Sequence, residues 1–278
     1  MPIKPPPPPP IPPCQHLDEV VEALASVIDW SIATSSRLGY FAALYKRITI
    51  AVGTALNQGA FDDGPRMERF DVAFASRYLD ALNGYFHPEK FRKPTSSWRV
   101  TFEAAGREEP IIVQHMLGGV NAHIVLDLGI VAATINPGPR LPTLKDDFYR
   151  INAVLASQVN GVVASIGQLS PALADLYAVL MEHEILLINE AVKQFRDSAW
   201  RFAVVLALEP GFARPATIWA RDRHVAERGE LMYDPPGLVG LIDSIVEAIA
   251  ARESRDIARN IEVLDKITSA PAPIKLTM

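Results

Sequence analysis

Apolar residues recur at helical spacing along most of this chain. From Gln15 onward, Leu17, Val20, Leu24 and Ile28 fall on one face of a helix. The same period predicts further helices over about 36–56, 65–86, 111–135, 143–169, 172–208 and 237–266, divided by turns rich in proline, glycine and asparagine. The proline-containing stretch 209–236 is predicted to be loop-like, and 98–102 to form a helical turn or a short strand.

This pattern predicts an all-α fold, because no stretch alternates strands with helices and no repeat of fixed period occurs. We expect a single-domain multi-helix bundle of six to eight helices packed around a buried central helix. The domain is predicted to cover residues 15–266. A disordered polyproline tail is expected over residues 1–14 and a second disordered tail over residues 267–278.

The predicted central helix is the most unusual segment of the sequence. Residues 111–135 read IIVQHMLGGVNAHIVLDLGIVAATI, which is apolar on all sides yet contains His115, Asn121, His123 and Asp127. Polar groups in a buried helix are costly unless each one finds a partner. The segment is therefore either the polar centre of a functional site or a satisfied network of the core. Its length would allow a membrane span, but the polar groups and the lack of flanking basic residues argue against one.

Composition and charge narrow the class of protein. The chain has 278 residues, of which 49% are hydrophobic, and its net charge is −5. Because its basic residues do not cluster, we expect no nucleic-acid partner. The lone cysteine, Cys14, excludes a disulfide framework within the chain, and residues 1–13 lack the pattern of a signal peptide. We therefore expect a cytoplasmic protein, and the sequence indicates no particular oligomeric state.

His123 and Asp127 are the first candidates for chemistry. They are four residues apart and so share one face of a helix. This spacing suits two ligands of a divalent metal, with zinc, iron or manganese as the candidates, or an aspartate that orients a histidine. A buried histidine in a purely structural network is the alternative. Asn121, about one half-turn away from His123, is a third candidate catalytic residue.

Asp71 is a candidate for the binding of a small-molecule ligand. It precedes Tyr78 by seven residues and shares its helix face with the apolar Phe74, as expected of a buried acid. Alternatively, the carboxylate of Asp71 lies close to solvent.

Several strings resemble a family known only as a domain of unknown function, DUF5995. The hallmark string is Leu117–Asp127 with Leu128, which contains Gly-x-Asn-Ala-His-Ile-x-x-Asp-Leu. The strings around Leu44-Tyr45, Phe74–Leu79, Asp147–Leu155 and Arg196–Trp200 are similar to other parts of that family. The resemblance covers about residues 15–208 and implies no established activity. With it, Asp147, Asn152 and Arg196 become further candidates for ligand binding.

The spacing Gly119-x-x-x-His123-x-x-x-Asp127 is also similar to one element of the all-helical zinc-dependent phospholipases C. In those enzymes a Pro-x-His tends to follow the aspartate, whereas Leu128-Gly129-Ile130 follow it here. Two functional hypotheses remain. The chain is a metal-dependent hydrolase or oxygenase that uses His123 and Asp127, or a non-catalytic helical binding or scaffold module with a structural polar core.

Overall fold

A computed structural model of the chain describes residues 6–180, 184–234 and 239–268. These residues form eleven α-helices and no strand, which confirms the all-α class. In chain order they are α1 (Leu17–Thr34), α2 (Leu38–Asn57), α3 (Gly64–Phe86), α4 (Ser96–Ala104), α5 (Ile112–Ile135), α6 (Lys145–Leu169), α7 (Pro171–Leu180), α8 (Glu184–Leu208), α9 (Arg214–Tyr233), α10 (Val239–Ala250) and α11 (Ile257–Thr268).

The predicted count of six to eight helices is wrong. The predicted helix over 172–208 is described as two helices, α7 and α8, and three local features account for the other differences. The region 209–236 is not a loop, because Pro215 occupies the first turn of α9, where a helix needs no backbone N–H. The predicted last helix is two helices, α10 and α11, divided by a turn in which the Ser254 N–H donates to the Leu169 carbonyl. Residues 96–104 form helix α4, which settles the choice between helix and strand at Trp98.

The helix boundaries follow from capping chemistry where the sequence supplies it. Asp63 precedes α3 and its side chain accepts a 3.0 Å hydrogen bond from the Arg66 N–H, while Pro65 lies in the first turn. Along α1, the buried apolar residues are those of the predicted stripe, namely Leu17, Val20, Leu24, Val27 and Ile28. Turn and capping residues therefore predicted the ends of α3, and periodicity predicted the buried face of α1.

Helix α5 contacts helices α2, α3, α4, α8 and α9. Among the described helices it alone has the length and apolar composition to cross a membrane, and 78% of its most apolar window is buried inside the protein. Its middle turn, Asn121–Asp127, is a π-helix, in which the Leu128 N–H donates to the His123 carbonyl. A π-turn inside an α-helix widens the coil by one residue and frequently marks a functional site.

The N-terminal segment does not lie free in solution, as the sequence prediction of a disordered tail over 1–14 would require. Residues 6–14 run extended against α1 and α3, with Ile11 and Cys14 each only 9% exposed. Asn83 bonds both the N–H and the carbonyl of Ile11 at 2.9 Å. Residues 6–14 thus pack on the body of the protein, where the sequence predicts a disordered tail. The predicted tail 267–278 lies outside the described residues from 269 onward.

Candidate functional site

The carboxylate of Asp127 is buried where α5 meets α3 and α4. Its Oδ2 accepts a 2.7 Å hydrogen bond from the Nε1–H of Trp98, and its Oδ1 accepts one of 2.9 Å from the Nε–H of Arg77. Burial by itself raises the pKa of Asp127, but Arg77, His123 and Trp98 together hold that pKa below its usual value. Asp127 is therefore an ionised carboxylate with both oxygens bonded to protein donors.

The imidazole of His123 lies inside a group of aromatic rings. It stacks on the Phe74 ring with centroids 3.6 Å apart and planes 5° apart, and the Tyr45 ring meets it edge-on at 4.5 Å. Burial lowers the pKa of His123, against the opposite effect of Asp127, so the ring is neutral near pH 7. Its Nδ1 lies 3.5 Å from the Asp127 Oδ2, the outer limit of a hydrogen bond, and that oxygen already accepts the shorter bond from Trp98.

His123 and Asp127 are thus brought together, as their spacing predicts, but they do not fit a metal ion. The two carboxylate oxygens of Asp127 already accept hydrogen bonds from Trp98 and from the cationic Arg77. Within the described ranges, no group of three or more His, Cys, Asp or Glu side chains is arranged to hold a metal. A metal site built from two protein ligands beside a guanidinium cation would lack both ligands and charge balance.

A cavity of about 310 Å³ lies on the other side of the His123 ring, between α2, α3, α5, α6 and α8. Its wall is almost entirely apolar, with Leu44, Ile48, Val120, Ile151 and Val159 among the lining side chains. Leu117 also lines it and is 41% exposed, so the cavity communicates with solvent beside α5. Its size lies at the lower end of the range seen for small-molecule pockets.

Five side chains with polar atoms interrupt this apolar wall: Tyr45, Asp71, His123, Gln158 and Arg196. Asp71 is 7% exposed, and burial raises its pKa to about 7 in spite of the opposing charge of Arg196. Its Oδ2 is buried without a hydrogen-bond partner among the described residues. A buried acid of this kind takes up or releases a proton near neutral pH, and it bonds readily to a polar group placed in the cavity.

Arg196 is held at the same end of the cavity by contacts with α6. One of its terminal nitrogens donates to the Phe148 carbonyl, and its guanidinium lies 4.4 Å from the centroid of the Phe148 ring. Burial lowers the pKa of Arg196 to about 10, so it remains a cation at neutral pH. Its Nε has no partner in the part of the chain that the structure describes. Asp71 and Arg196, both predicted as ligand-binding residues, therefore face one cavity.

The structure separates the remaining candidates from this cavity. Asn121 points toward α9, where its Nδ2 donates to the Val225 carbonyl at 2.9 Å. Asp147 accepts hydrogen bonds from the backbone N–H groups of Asp62 and Asp63 and from Arg66 and Arg150, so it anchors the loop before α3. Asn152 is half-buried and does not line the cavity. The structure therefore does not bring these three residues together with His123 at the cavity.

Sequence reasoning missed the two donors of Asp127. Trp98 and Arg77 lie 29 and 50 residues from Asp127 along the chain, and no local spacing links them to it. The one available signal was that Arg77 directly precedes Tyr78 on a helix whose neighbouring positions are strongly apolar. Such an arginine often has a buried counter-charge.

Fold and site together define an all-helical protein with an ion pair between the buried Asp127 of α5 and the partly exposed Arg77 of α3, and with an adjoining apolar cavity. The sequence model of a family of unknown function, DUF5995, matches residues 17–235, and this chain belongs to that family. No curated protein and no solved structure is significantly similar to the chain.

Proposed function

We propose that this protein binds a small, mostly apolar molecule that carries one polar group. The observation that carries this proposal is the apolar cavity of about 310 Å³ with Asp71 and Arg196 in its wall. Filling such a cavity removes apolar surface of both partners from water, which favours binding by roughly 25 cal/mol for each Å². The polar group of the ligand would satisfy the buried Oδ2 of Asp71 or the Nε of Arg196.

The first hypothesis from the sequence is a metal-dependent hydrolase or oxygenase, and a non-catalytic binding module is its alternative. The enzyme hypothesis rests on the His123–Asp127 pair, whose carboxylate is already bonded to Trp98 and Arg77. We favour the binding function because the cavity offers unsatisfied polar atoms, whereas the carboxylate of Asp127 offers none. Elemental analysis of the purified protein decides between the two, since stoichiometric zinc, iron or manganese would support the enzyme hypothesis.

The binding proposal is tested by filling the cavity. Ala191 lines the cavity and is itself exposed, so a tryptophan there blocks its open side. Ala164 is also exposed, on α6 and outside the cavity, so Ala191→Trp and Ala164→Trp form a matched pair. The probe is dansylamide, which combines an apolar naphthalene ring with one polar sulfonamide group and fluoresces when it leaves water. We expect the wild-type chain and Ala164→Trp to bind it with equal affinity, and Ala191→Trp at least about tenfold more weakly, which corresponds to about 1.4 kcal/mol.

The proposal fails if the wild-type chain does not bind the probe at micromolar concentrations and native mass spectrometry finds no ligand retained from the host. It also fails if both tryptophan variants bind as the wild-type chain does, because the probe would then sit outside this cavity.

A further inference from the structure

The N-terminal segment, residues 6–14, has the burial pattern of a polyproline II helix that packs along one face. Its buried positions are Pro8, Ile11 and Cys14, and the residues between them are exposed. A burial period of three is that of polyproline II, which has three residues per turn and no internal hydrogen bonds. The run Pro5–Pro10 favours this conformation, because each proline fixes its own φ and lacks an N–H.

The surface that receives this segment has the chemistry of a proline-binding groove. We define the groove by Trp30 of α1, Asn83 and Phe86 of α3, and His87 directly after α3. The Nε1–H of Trp30 donates to the Pro6 carbonyl at 3.0 Å, and Nε2 of His87 donates to the Pro8 carbonyl at 2.8 Å. Asn83 bonds the backbone of Ile11 on both sides, and the Phe86 ring meets the Trp30 ring edge-on at 5.2 Å.

These contacts bind the main chain of the segment more than its side chains. The side chains of Trp30, His87 and Asn83 form hydrogen bonds with main-chain groups of residues 6, 8 and 11. Only every third side chain of the segment is buried. An aromatic groove with an indole N–H aimed at proline carbonyls is a recurrent way of recognising polyproline II ligands, since the ligand is already ordered before it binds. Any chain with the same prolines and an apolar residue at the position of Ile11 would make the same contacts.

The groove and its occupant belong to different parts of the sequence. Trp30, Asn83 and His87 lie inside the residues 17–235 that match the family, whereas residues 6–14 precede them. The groove therefore lies within the part of the chain that matches the family, and the segment that covers it lies outside that part. An attached segment competes with outside ligands at an effective concentration that reaches millimolar for a short connection.

We propose that this groove is a binding site for a proline-rich segment of another polypeptide. The chain's own residues 6–14 occupy the site and compete with that partner. The proposal is independent of the apolar cavity, since none of the four groove residues lines it.

The test displaces the attached segment without removing it from the full chain. Ile11→Asp places a charge at a buried position, whereas Pro9→Asp places the same charge at an exposed one and serves as the matched control. The probe is a fluorescein-labelled peptide with the sequence of residues 4–14 and serine in place of Cys14. We expect Ile11→Asp to bind it saturably, and the wild-type chain and Pro9→Asp to bind it at least about tenfold more weakly.

Adding Trp30→Phe to Ile11→Asp removes the indole donor and keeps an aromatic ring. The affinity for the peptide should then fall about three- to tenfold, as expected for the loss of one hydrogen bond. A second peptide with aspartate at the position of Ile11 should not bind to Ile11→Asp.

Three results would overturn the proposal. The first is a folded Ile11→Asp chain, by circular dichroism, that does not bind the peptide. The second is equal binding by all three chains, which would place the peptide elsewhere. The third is a wild-type dimer that the free peptide dissociates, because the partner would then be a second copy exchanging its own segment. If Ile11→Asp does not fold, Pro8→Asp serves in its place, and unfolding of both would show that the segment belongs permanently to the core.

Discussion

The indole N–H of Trp98 donates a 2.7 Å hydrogen bond to the buried carboxylate of Asp127, which also accepts one from Arg77. The three side chains come from α4, α5 and α3, so one carboxylate ties three helices together. The arrangement satisfies the negative charge in the middle of the most apolar helix of the chain. It explains how α5 carries an aspartate at 0% exposure.

Asp127→Asn tests this link between helices. The amide keeps the shape of the side chain but removes the counter-charge of Arg77 and points an N–H₂ group at one of the two donors. We expect the free energy of unfolding in urea to fall by about 1–3 kcal/mol. Asp175→Asn is the control, since it removes a surface ion pair with Arg252 that is worth at most about 1 kcal/mol. Equal losses in the two variants would contradict the assignment.

Gly119 lets the Phe41 ring approach α5 closely. A Cβ at this position would lie 2.3 Å from two atoms of that ring, so Gly119→Ala must push the aromatic group around His123 apart. We expect Gly119→Ala to lower the free energy of unfolding by about 1–3 kcal/mol. Gly167→Ala should raise it by roughly 0.5–1 kcal/mol, because it lies within α6 and its Cβ would meet Ala174 at an ordinary 3.5 Å. Thermal unfolding of both variants checks the opposite signs.

Asp71 should make stability fall as the pH rises. Its pKa is raised from 3.8 to about 7 in the folded chain, so the folded state holds the proton more tightly than the unfolded state does. This contribution is fully present below about pH 4 and is lost as the pH rises through 7. Asp71→Asn lacks this dependence. Its stability relative to the wild-type chain should therefore increase between pH 4 and 8, by at most about 4 kcal/mol at about 1.4 kcal/mol per pKa unit. A difference that does not change with pH would refute the buried, proton-binding state of Asp71.

The contribution of Asp147 to stability should fall as the pH falls, which is opposite to the pH dependence expected for Asp71. Its own burial raises its pKa, but hydrogen bonds from the Asp62 N–H, Arg66 and the Asp63 N–H outweigh this and lower the pKa below its usual value. Its contribution is therefore present above the unfolded-state pKa and is lost as the pH falls through the folded-state value. Asp147→Ala should cost about 2–4 kcal/mol at pH 7 and less at pH 3, measured by urea unfolding. Asp147→Ala should leave the affinity for the dansyl probe unchanged. A loss of probe binding would instead support the sequence prediction that Asp147 binds the ligand.

Much of the fold and part of the site follow from the sequence alone. The all-α class, the boundaries of α2 and α3, the buried α5 and the membership in the family all follow from local patterns. Periodicity also placed Asp71 on a buried face, and spacing placed His123 beside Asp127. These features are local because a helix brings together residues three and four positions apart, whatever the rest of the chain does.

The interaction partners of those residues depend on the tertiary structure. Arg77 and Trp98 reach Asp127 from separate helices, Asp71 and Arg196 meet across a cavity, and Asn121 and Asp147 turn away to other helices and loops. It also placed residues 6–14 in a groove, although a proline run read by itself predicts a free tail. A buried polar side chain needs a hydrogen-bond partner, and a polar residue within an apolar run of the sequence indicates that such a partner exists. Which partner satisfies it depends on how helices far apart in the chain pack, because packing is set by the combined shape of all the faces that meet.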